Sequence, residues 1–539
     1  MNMPGQVEYA AQSVLLRAWL HRLREQGRRV RLLETHISWV VLVGRYAYKL
    51  KKAVNLGFLD FSGLELRRYY CAEEIRLNRR LAAGIYLEVV GIGGSIENPQ
   101  LHGLPVLEYA VKMRRFVVGQ QFDRLLLRKV LLPQHIDSLA GKIASFHLAL
   151  GAGLPEVAGE ARYGTAQAVY KDVAQNFTQL QGMPLKRGDS ALLAALRSAS
   201  DAEFQACSAF IEQRREQGFV RECHGDMHLA NIVLLDGQAT PFDGIEFNPA
   251  LRWIDVINEL AFPFMDLLLH KRADLAYRLL NAYLEVTGDY AGLGLLRFYL
   301  AYRAMVRAKV SAIRATQPEL SPRQASREWA NYRSCLALAA SSFARARPVL
   351  IITYGLPGSG KTTFSQLALQ KIMAIRLRSD VERKRLYGVA TQANSRAQTG
   401  LDLYTAAVTQ QTYVRLAELA RPLLQAGYSV VVDAAFASQQ QRDVFYRLAH
   451  ELDIACLIAS IQSSPATLRT RITQRMQAGA DASEADVVVL EKLQLTQQPL
   501  SVEENARSVI FDNEHAGIAG DSPAWNKLEA LVASSVVAR

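Results

Sequence analysis

His224-Gly225-Asp226-Met227-His228-Leu229-Ala230-Asn231 leads, through Ile232-Val233-Leu234-Leu235-Asp236-Gly237, to Phe242-Asp243-Gly244-Ile245-Glu246-Phe247. The middle run is apolar and ends in an Asp-Gly turn signal. The stretch therefore reads as loop, short strand, hairpin turn and a second strand ending at Asp243. That geometry gathers Asp226, Asn231 and Asp243 at one end of a hairpin. Phosphoryl transfer needs such a set. One carboxylate accepts or orients the acceptor's proton, while an amide oxygen and a second carboxylate hold Mg²⁺ on nucleotide phosphates.

The pattern H-G-D-x-H-x-x-N, followed by an aspartate at a strand end, resembles the aminoglycoside phosphotransferase/choline kinase branch of the protein-kinase-like fold. The resemblance implies that Asp226 is the catalytic base and that Asn231 and Asp243 are the Mg²⁺ ligands. It also implies that Asp255, in Leu251-Arg252-Trp253-Ile254-Asp255-Val256, supports the catalytic loop without touching substrate.

Working back from the hairpin, the spacing of Leu15, Leu16, Trp19, Leu20 and Leu23 predicts a helix from about Ser13, a possible N-cap, to Gln26. Two strands follow, Ile37–Val43 and Arg45–Leu50, with Gly44 turning between them. Lys49 lies on the second strand, where kinase-like folds keep a lysine that grips the α/β-phosphates and pairs with a helix glutamate. Lys51 and Lys52 compete for that role. The glutamate lies in the predicted helix Tyr70–Leu81. Glu74 is favoured because Leu77 and Leu81 then stripe one face, and Glu73 is the alternative. Leu107–Met113 reads as the strand leading to a hinge between lobes. Residues 133–211 read as mostly helical with a loop at Gly151–Pro155, and further helices fill 258–344. In one of them Arg303, Arg307 and Arg314 fall near one face. If that face lines the acceptor pocket it repels a polycationic aminoglycoside, which points to an anionic or neutral acceptor; a solvated charged face is the competing reading.

Near Arg345-Ala346-Arg347-Pro348 the pattern changes. Val349–Tyr354 is a continuous apolar, β-branched run of the kind found in central parallel strands. Gly355-Leu356-Pro357-Gly358-Ser359-Gly360-Lys361-Thr362-Thr363 follows, a full G-x-x-x-x-G-K-[ST] between strand and helix. Gly355, Gly358, Ser359, Gly360 and Thr363 form the phosphate cradle, Lys361 reaches the β/γ-phosphates, and Thr362 binds Mg²⁺. Strands at 374–377, 429–432, 455–461 and 508–511 complete a doubly wound α/β domain. Arg378-Ser379-Asp380-Val381-Glu382-Arg383 resembles the zeta-toxin/polynucleotide-kinase-like branch of P-loop kinases. The resemblance makes Asp380 a base or acceptor orienter and Arg383 a phosphate or acceptor contact. Asp433 takes either the Walker-B-like metal position or an acceptor-side contact. Arg471 and Arg475, before Gly479–Ala485, take the place of a lid that closes over the triphosphate; a solvated helical arginine pair is the alternative.

The fold class expected is thus mixed α/β and α+β: a two-lobed protein-kinase-like unit over 1–345, then a doubly wound parallel-sheet P-loop kinase domain over 346–539. The whole chain resembles bacterial proteins that fuse an aminoglycoside-phosphotransferase-like domain to an AAA-type P-loop kinase domain. The expected cofactors are ATP, at two sites, and Mg²⁺. The expected activity is transfer of phosphate to a small-molecule hydroxyl. Two rivals stand beside it: an ATP sensor in which one domain binds without turnover, and a nucleic-acid 5′-hydroxyl kinase.

At 539 residues the chain exceeds one core. Half of it is hydrophobic and 21% charged, a globular composition. The net charge of +12 favours anionic partners, which nucleotides already satisfy. No interleaved basic and aromatic pattern signals RNA. No apolar run spans a bilayer, and the first residues lack the layout of a signal peptide. The five scattered cysteines, Cys71, Cys207, Cys223, Cys335 and Cys456, fit a reducing cytoplasm.

Overall fold

The computed structural model describes residues 4–57, 59–151, 163–318, 320–389, 403, 405–478, 485–514, 518 and 522–537. The predicted loop residues 152–155 and the stretch 479–484 lie outside the described residues. The chain packs as two compact units, Met1–Thr178 with Phe204–Asp266, and Gln179–Glu203 with Leu267–Arg539.

In the first unit, β1 (Val30–Glu34), β2 (Ser38–Val43), β3 (Tyr46–Lys51), β4 (Tyr86–Gly94), β5 (Pro99–Leu101) and β6 (Val106–Arg114) form an antiparallel sheet. Their order is β1-β2-β3-β6-β4-β5. Val43 pairs with Tyr46, so Gly44 and Arg45 alone turn β2 into β3, with Gly44 at φ +54°. Helix α1 (Pro4–Glu25) buries Leu16, Trp19 and Leu20 against Trp39, Val41, Tyr48 and Leu50 of the sheet. It begins well before Ser13, which is no N-cap: inside the helix its hydroxyl donates back to the Tyr9 carbonyl at 2.8 Å. Helix α2 (Leu64–Ala82) also starts earlier than its apolar stripe indicated. An Asp60–Ser62 turn and the extended Gly63 set its entry.

Beyond this lobe come α3 (Phe122–Leu127), α4 (Pro133–Ala149), α5 (Ala166–Gln181), α6 (Arg187–Glu216), β7 (Val220–Glu222), the hairpin β8 (Ile232–Leu235) and β9 (Gln238–Pro241), β10 (Trp253–Asp255) and α7 (Val256–Leu269). The hairpin turn is Asp236-Gly237, both left-handed at φ +47° and +77°, which suits the twist of a two-residue hairpin. β10 pairs antiparallel with β7 and so holds both ends of the loop that starts at Cys223.

In the second unit, α8 (Ala273–Thr287), α9 (Leu293–Ala315) and α10 (Pro322–Phe343) precede β11 (Val349–Tyr354), α11 (Lys361–Lys371), β12 (Ile375–Arg378), α12 (Ser379–Leu386), β13 (Val430–Asp433), β14 (Ala455–Gln462) and β15 (Ser508–Asp512). The sheet is wholly parallel in the order β12-β13-β11-β14-β15. This is the expected doubly wound arrangement. Its central strand β11 is buried from Val349 to Thr353, as an unbroken apolar run requires. Phe364 stacks on Trp525, and Phe511 meets both rings edge-on, in the cluster that also holds Val349 and Ile351. Among the described residues no helix is long and apolar enough to cross a membrane. All five cysteines are buried, and among the described residues none forms a disulfide.

Candidate functional site

The first site forms where β3, α2 and the β8–β9 hairpin converge. Lys49 Nζ donates to Glu74 Oε1 at 2.9 Å and to Asp243 Oδ1 at 2.6 Å. Glu74 is therefore the partner, and it is fully buried. Glu73 points elsewhere, to Arg76 at 2.9 Å. Burial alone would push the Lys49 ammonium down, but Asp243 and Glu74 hold it well above the usual lysine range. Burial conversely lifts Asp243, and the Lys49 charge overrides it and keeps the carboxyl below its usual value.

Lys51, a competing lysine in the sequence, is also placed here, though on the far side of the glutamate. Fully buried, it donates to Glu74 Oε2 at 2.8 Å and to Glu246. Lys52 instead pairs with Glu34 at 2.6 Å. The two oxygens of Glu74 are thus shared between Lys49 and Lys51, which fixes the carboxylate plane. Glu246 stood inside the quoted motif without a role. Three residues beyond Asp243, it closes the charge balance of the buried lysine.

Asp226 is 37% exposed and stands beside Asn231, whose amide nitrogen donates to the Asp226 carboxylate at 3.1 Å. The loop beneath is rigidly held. His224 Nδ1 accepts the Asp226 N–H at 3.3 Å while its Nε2 donates to the Phe242 carbonyl at 2.9 Å. The Asn231 carbonyl accepts the Phe242 N–H at 2.9 Å. Two groups that sequence reasoning missed clamp the loop: Glu259 accepts the N–H groups of His224 at 2.7 Å and Gly225 at 2.9 Å, and Asp266 accepts that of Leu229 at 3.0 Å. Burial opposes the Glu259 charge, but His147, 3.6 Å away, and His224 with its N–H hold its carboxyl at about 2. The only hint was that Glu259 and Asp266 are the two acids in a mostly apolar helix, α7, and nothing in the sequence tied them to the loop. Asp255 is buried and bound to Arg214 at 2.7 Å.

Asp243 adopts φ +63°, a conformation uncommon outside glycine. Its N–H donates to Tyr86 Oη at 3.0 Å, and the next N–H, of Gly244, to Asn78 Oδ1 at 2.7 Å. Tyr86 and Asn78, unremarked in the sequence, thereby lock the backbone that aims the Asp243 carboxylate. Asn231 and Asp243 offer only oxygen donors once the amide turns its carbonyl inward, which fits a hard cation such as Mg²⁺.

The second site lies at the end of β11. Gly358 and Gly360 take φ +81° and +101° around the turn into α11. Lys361 Nζ donates to the Leu356 carbonyl at 2.9 Å. Burial lowers its pKa to about 8, with Asp433 and Asp380 acting against the shift and Arg475 adding to it. Four of the residues singled out in the sequence are therefore electrostatic neighbours. Thr362 is half-buried and Thr363 exposed on the first turn of α11. Asp433, at the end of β13, accepts the Ser365 hydroxyl at 2.9 Å. Asp433 and Thr362 again offer oxygen donors, as Mg²⁺ requires. Asp380 and Arg383 pair with each other at 2.6 Å.

Arg471 is engaged with protein groups, donating to the Asn513 carbonyl at 2.8 Å and to Ser463 Oγ at 3.2 Å. Arg475 donates to the Ala485 carbonyl at 2.5 Å. Asn513, also missed, donates from Nδ2 to the Ser359 carbonyl at 2.6 Å and so joins the end of β15 to the phosphate loop. On α9, Arg303 is buried, Arg307 half-buried and Arg314 exposed, so the three do not form one uniformly solvated face.

Residues 350–500 match a family model described as an AAA domain. An uncharacterized protein of Mycobacterium tuberculosis is 30% identical over 458 residues, covering 84% of this chain and 87% of its own. Among solved structures, an aminoglycoside phosphotransferase from Alicyclobacillus acidocaldarius is 15% identical, with 58% of this chain and 91% of its own covered at a TM-score of 0.33. The Mycobacterium tuberculosis APS kinase, solved with AMPPNP and APS, is 17% identical, with 35% and 97% covered at a TM-score of 0.25. The chain belongs to the family of the mycobacterial protein, with an AAA domain in its C-terminal part.

Proposed function

We propose that this protein is an ATP-dependent phosphotransferase that acts on the hydroxyl of a small molecule through Asp226. The observation that carries the reading is Lys49 bridging Glu74 and Asp243 beside the Asp226–Asn231 pair. Lys49 would hold the α/β-phosphates, with Glu74 fixing its position. Asn231 and Asp243 would hold Mg²⁺, which when bound neutralises charge on the β/γ-phosphates. Asp226, open to solvent on one side, would accept the acceptor's proton as its oxygen attacks in line. The kinase-like domain is assigned to 1–345 and the P-loop domain to 346–539. In the latter, Lys361, Thr362 and the glycine cradle would bind a second ATP with Asp433 as metal ligand. Asp380 and Arg383 would meet the acceptor, and Arg471 and Arg475 would close over the triphosphate. The acceptor is anionic or neutral, and the protein is cytoplasmic.

A second reading has one observation in its favour: Asp380 and Arg383 bind each other at 2.6 Å, so neither is free to take an acceptor in this arrangement. On that reading the P-loop domain binds ATP without turnover.

The test is transfer from γ-labelled ATP into a cell metabolite extract, comparing wild type with Asp226→Ala and Lys361→Ala. Product lost only with Asp226→Ala supports one kinase and a binding domain; distinct products lost in each variant establish two kinases. A product that survives Asp226→Ala, with no other product lost in it, refutes the assignment of Asp226. Labelling of a 5′-hydroxyl oligonucleotide would move the P-loop domain to nucleic acid.

A further inference from the structure

β12 is the edge strand of the parallel sheet, and an edge leaves backbone groups without a strand to pair with. Helix α8 supplies side chains in place of a strand. Asn281 donates from Nδ2 to the Ala374 carbonyl at 3.0 Å and accepts the Arg376 N–H at 2.7 Å. One helical turn later Glu285 binds two arginines of the strand. Its Oε2 takes Arg376 Nη2 at 2.8 Å and its Oε1 takes Arg378 Nη1 at 2.6 Å. Arg378 presents its Nε to Asp433 Oδ2 at 4.0 Å. That same oxygen accepts the Ser365 hydroxyl. Glu285, Arg378 and Asp433 are only 20%, 12% and 6% exposed, so solvent screens these charges weakly.

At 4.0 Å the contact between Arg378 and Asp433 is attractive but is no hydrogen bond. An arginine that closed this gap would neutralise Asp433 and occupy the oxygen a cation needs. The shorter bond to Glu285 holds the guanidinium back. We propose that Glu285 is a positioning residue of the P-loop site: by engaging Arg378 it keeps the Asp433 carboxylate available to Mg²⁺. The proposal rests on reading Asp433 as a metal ligand. It gives α8, which lies outside the matched AAA region, a part in nucleotide binding.

The test uses the full chain carrying Asp243→Asn, which removes the metal carboxylate of the kinase-like site. The readout is the Mg²⁺ concentration for half-maximal binding of a fluorescent, non-hydrolysable ATP analogue. Glu285→Gln should raise that midpoint about tenfold, the usual effect of losing a group that orients a metal ligand. Adding Arg378→Gln should restore it to within about twofold, which no loss of mere structural support would do. An unchanged midpoint in Glu285→Gln, or a double variant as weak as the single, overturns the proposal. Asp433→Asn separates the two failures. If it leaves the midpoint unmoved, the metal-ligand reading is itself wrong. If it moves the midpoint and Glu285→Gln does not, only the positioning role falls. Should Glu285→Gln fail to fold, Arg378→Gln alone is expected to leave the midpoint unchanged or lower it, and a raised midpoint overturns the proposal.

Discussion

Lys361 carries a proton balance that the phosphate-loop motif alone does not disclose. Burial sets its folded pKa at about 8 against an ordinary 10.5. The unfolded chain therefore binds more protons between these values, so stability rises with pH across that window. Phosphate oxygens would return the ammonium to full charge. Nucleotide binding at pH 8 should accordingly take up about half a proton at this lysine. Calorimetry in buffers of different ionisation enthalpy reads this directly, and Lys361→Met should abolish that share. Equal proton uptake in both proteins would refute it. Glu259 has the opposite sign. Its folded value of about 2 lies below the ordinary 4.5. Its stabilisation, about 3 kcal/mol at this shift, is complete above pH 4.5 and lost as pH falls towards 2. The gap in melting temperature between wild type and Glu259→Gln should hold from pH 7 to 4.5 and narrow below. A gap that widens on acidification would remove Glu259 as the charged clamp of the loop at His224 and Gly225.

The elements divide by how local their causes are. The β8–β9 hairpin was legible because its strand, its Asp236-Gly237 turn and its polar ends are all adjacent in sequence. β11 and its phosphate loop were legible for the same reason. For the glutamate, the Leu77–Leu81 stripe pointed to Glu74 over Glu73, and Lys49 bonds Glu74; the choice among Lys49, Lys51 and Lys52 was open in the sequence. The clamps were not legible. Glu259, Asp266, Tyr86 and Asn78 act on the hairpin from elements far away in sequence, and no spacing rule connects them. The roles of Asn281 and Glu285 were hidden likewise, since a polar residue on a helix reads as solvated until its partner strand is known. Asn281 makes a local prediction. Its amide closes two backbone groups at the β12 edge, so Asn281→Ala should cost about 1–3 kcal/mol. The loss should appear as faster hydrogen exchange at Ile375–Arg378, with the amides of β14 unchanged. Uniform acceleration across the sheet would mean that Asn281 supports the whole unit and not the edge.

At the scale of the molecule, the matched AAA region and the compact unit do not coincide. The match covers 350–500, while the unit that contains it reaches back to Leu267 and includes Gln179–Glu203. Two parts of its core fall outside the match. The β15 strand and the helix Pro523–Val537 contribute Phe511, Trp525 and Leu528 to the central cluster with Phe364. On the opposite edge, α8 covers β12 through Asn281 and Glu285. A fragment starting at residue 346 keeps the first part and loses the second. Its β12 would then expose an unpaired edge, and Arg376 and Arg378 would lose the carboxylate that balances them. Unprotected edges pair with other chains. Fragment 346–539 should therefore be less soluble and melt lower than fragment 267–539, and it should form larger species in size-exclusion chromatography. The decisive comparison is 267–539 carrying Asn281→Ala and Glu285→Gln together. If it aggregates as the shorter fragment does, the edge contacts explain the boundary. If 346–539 proves as soluble and as stable as 267–539, the P-loop domain is self-sufficient and α8 is only a neighbour.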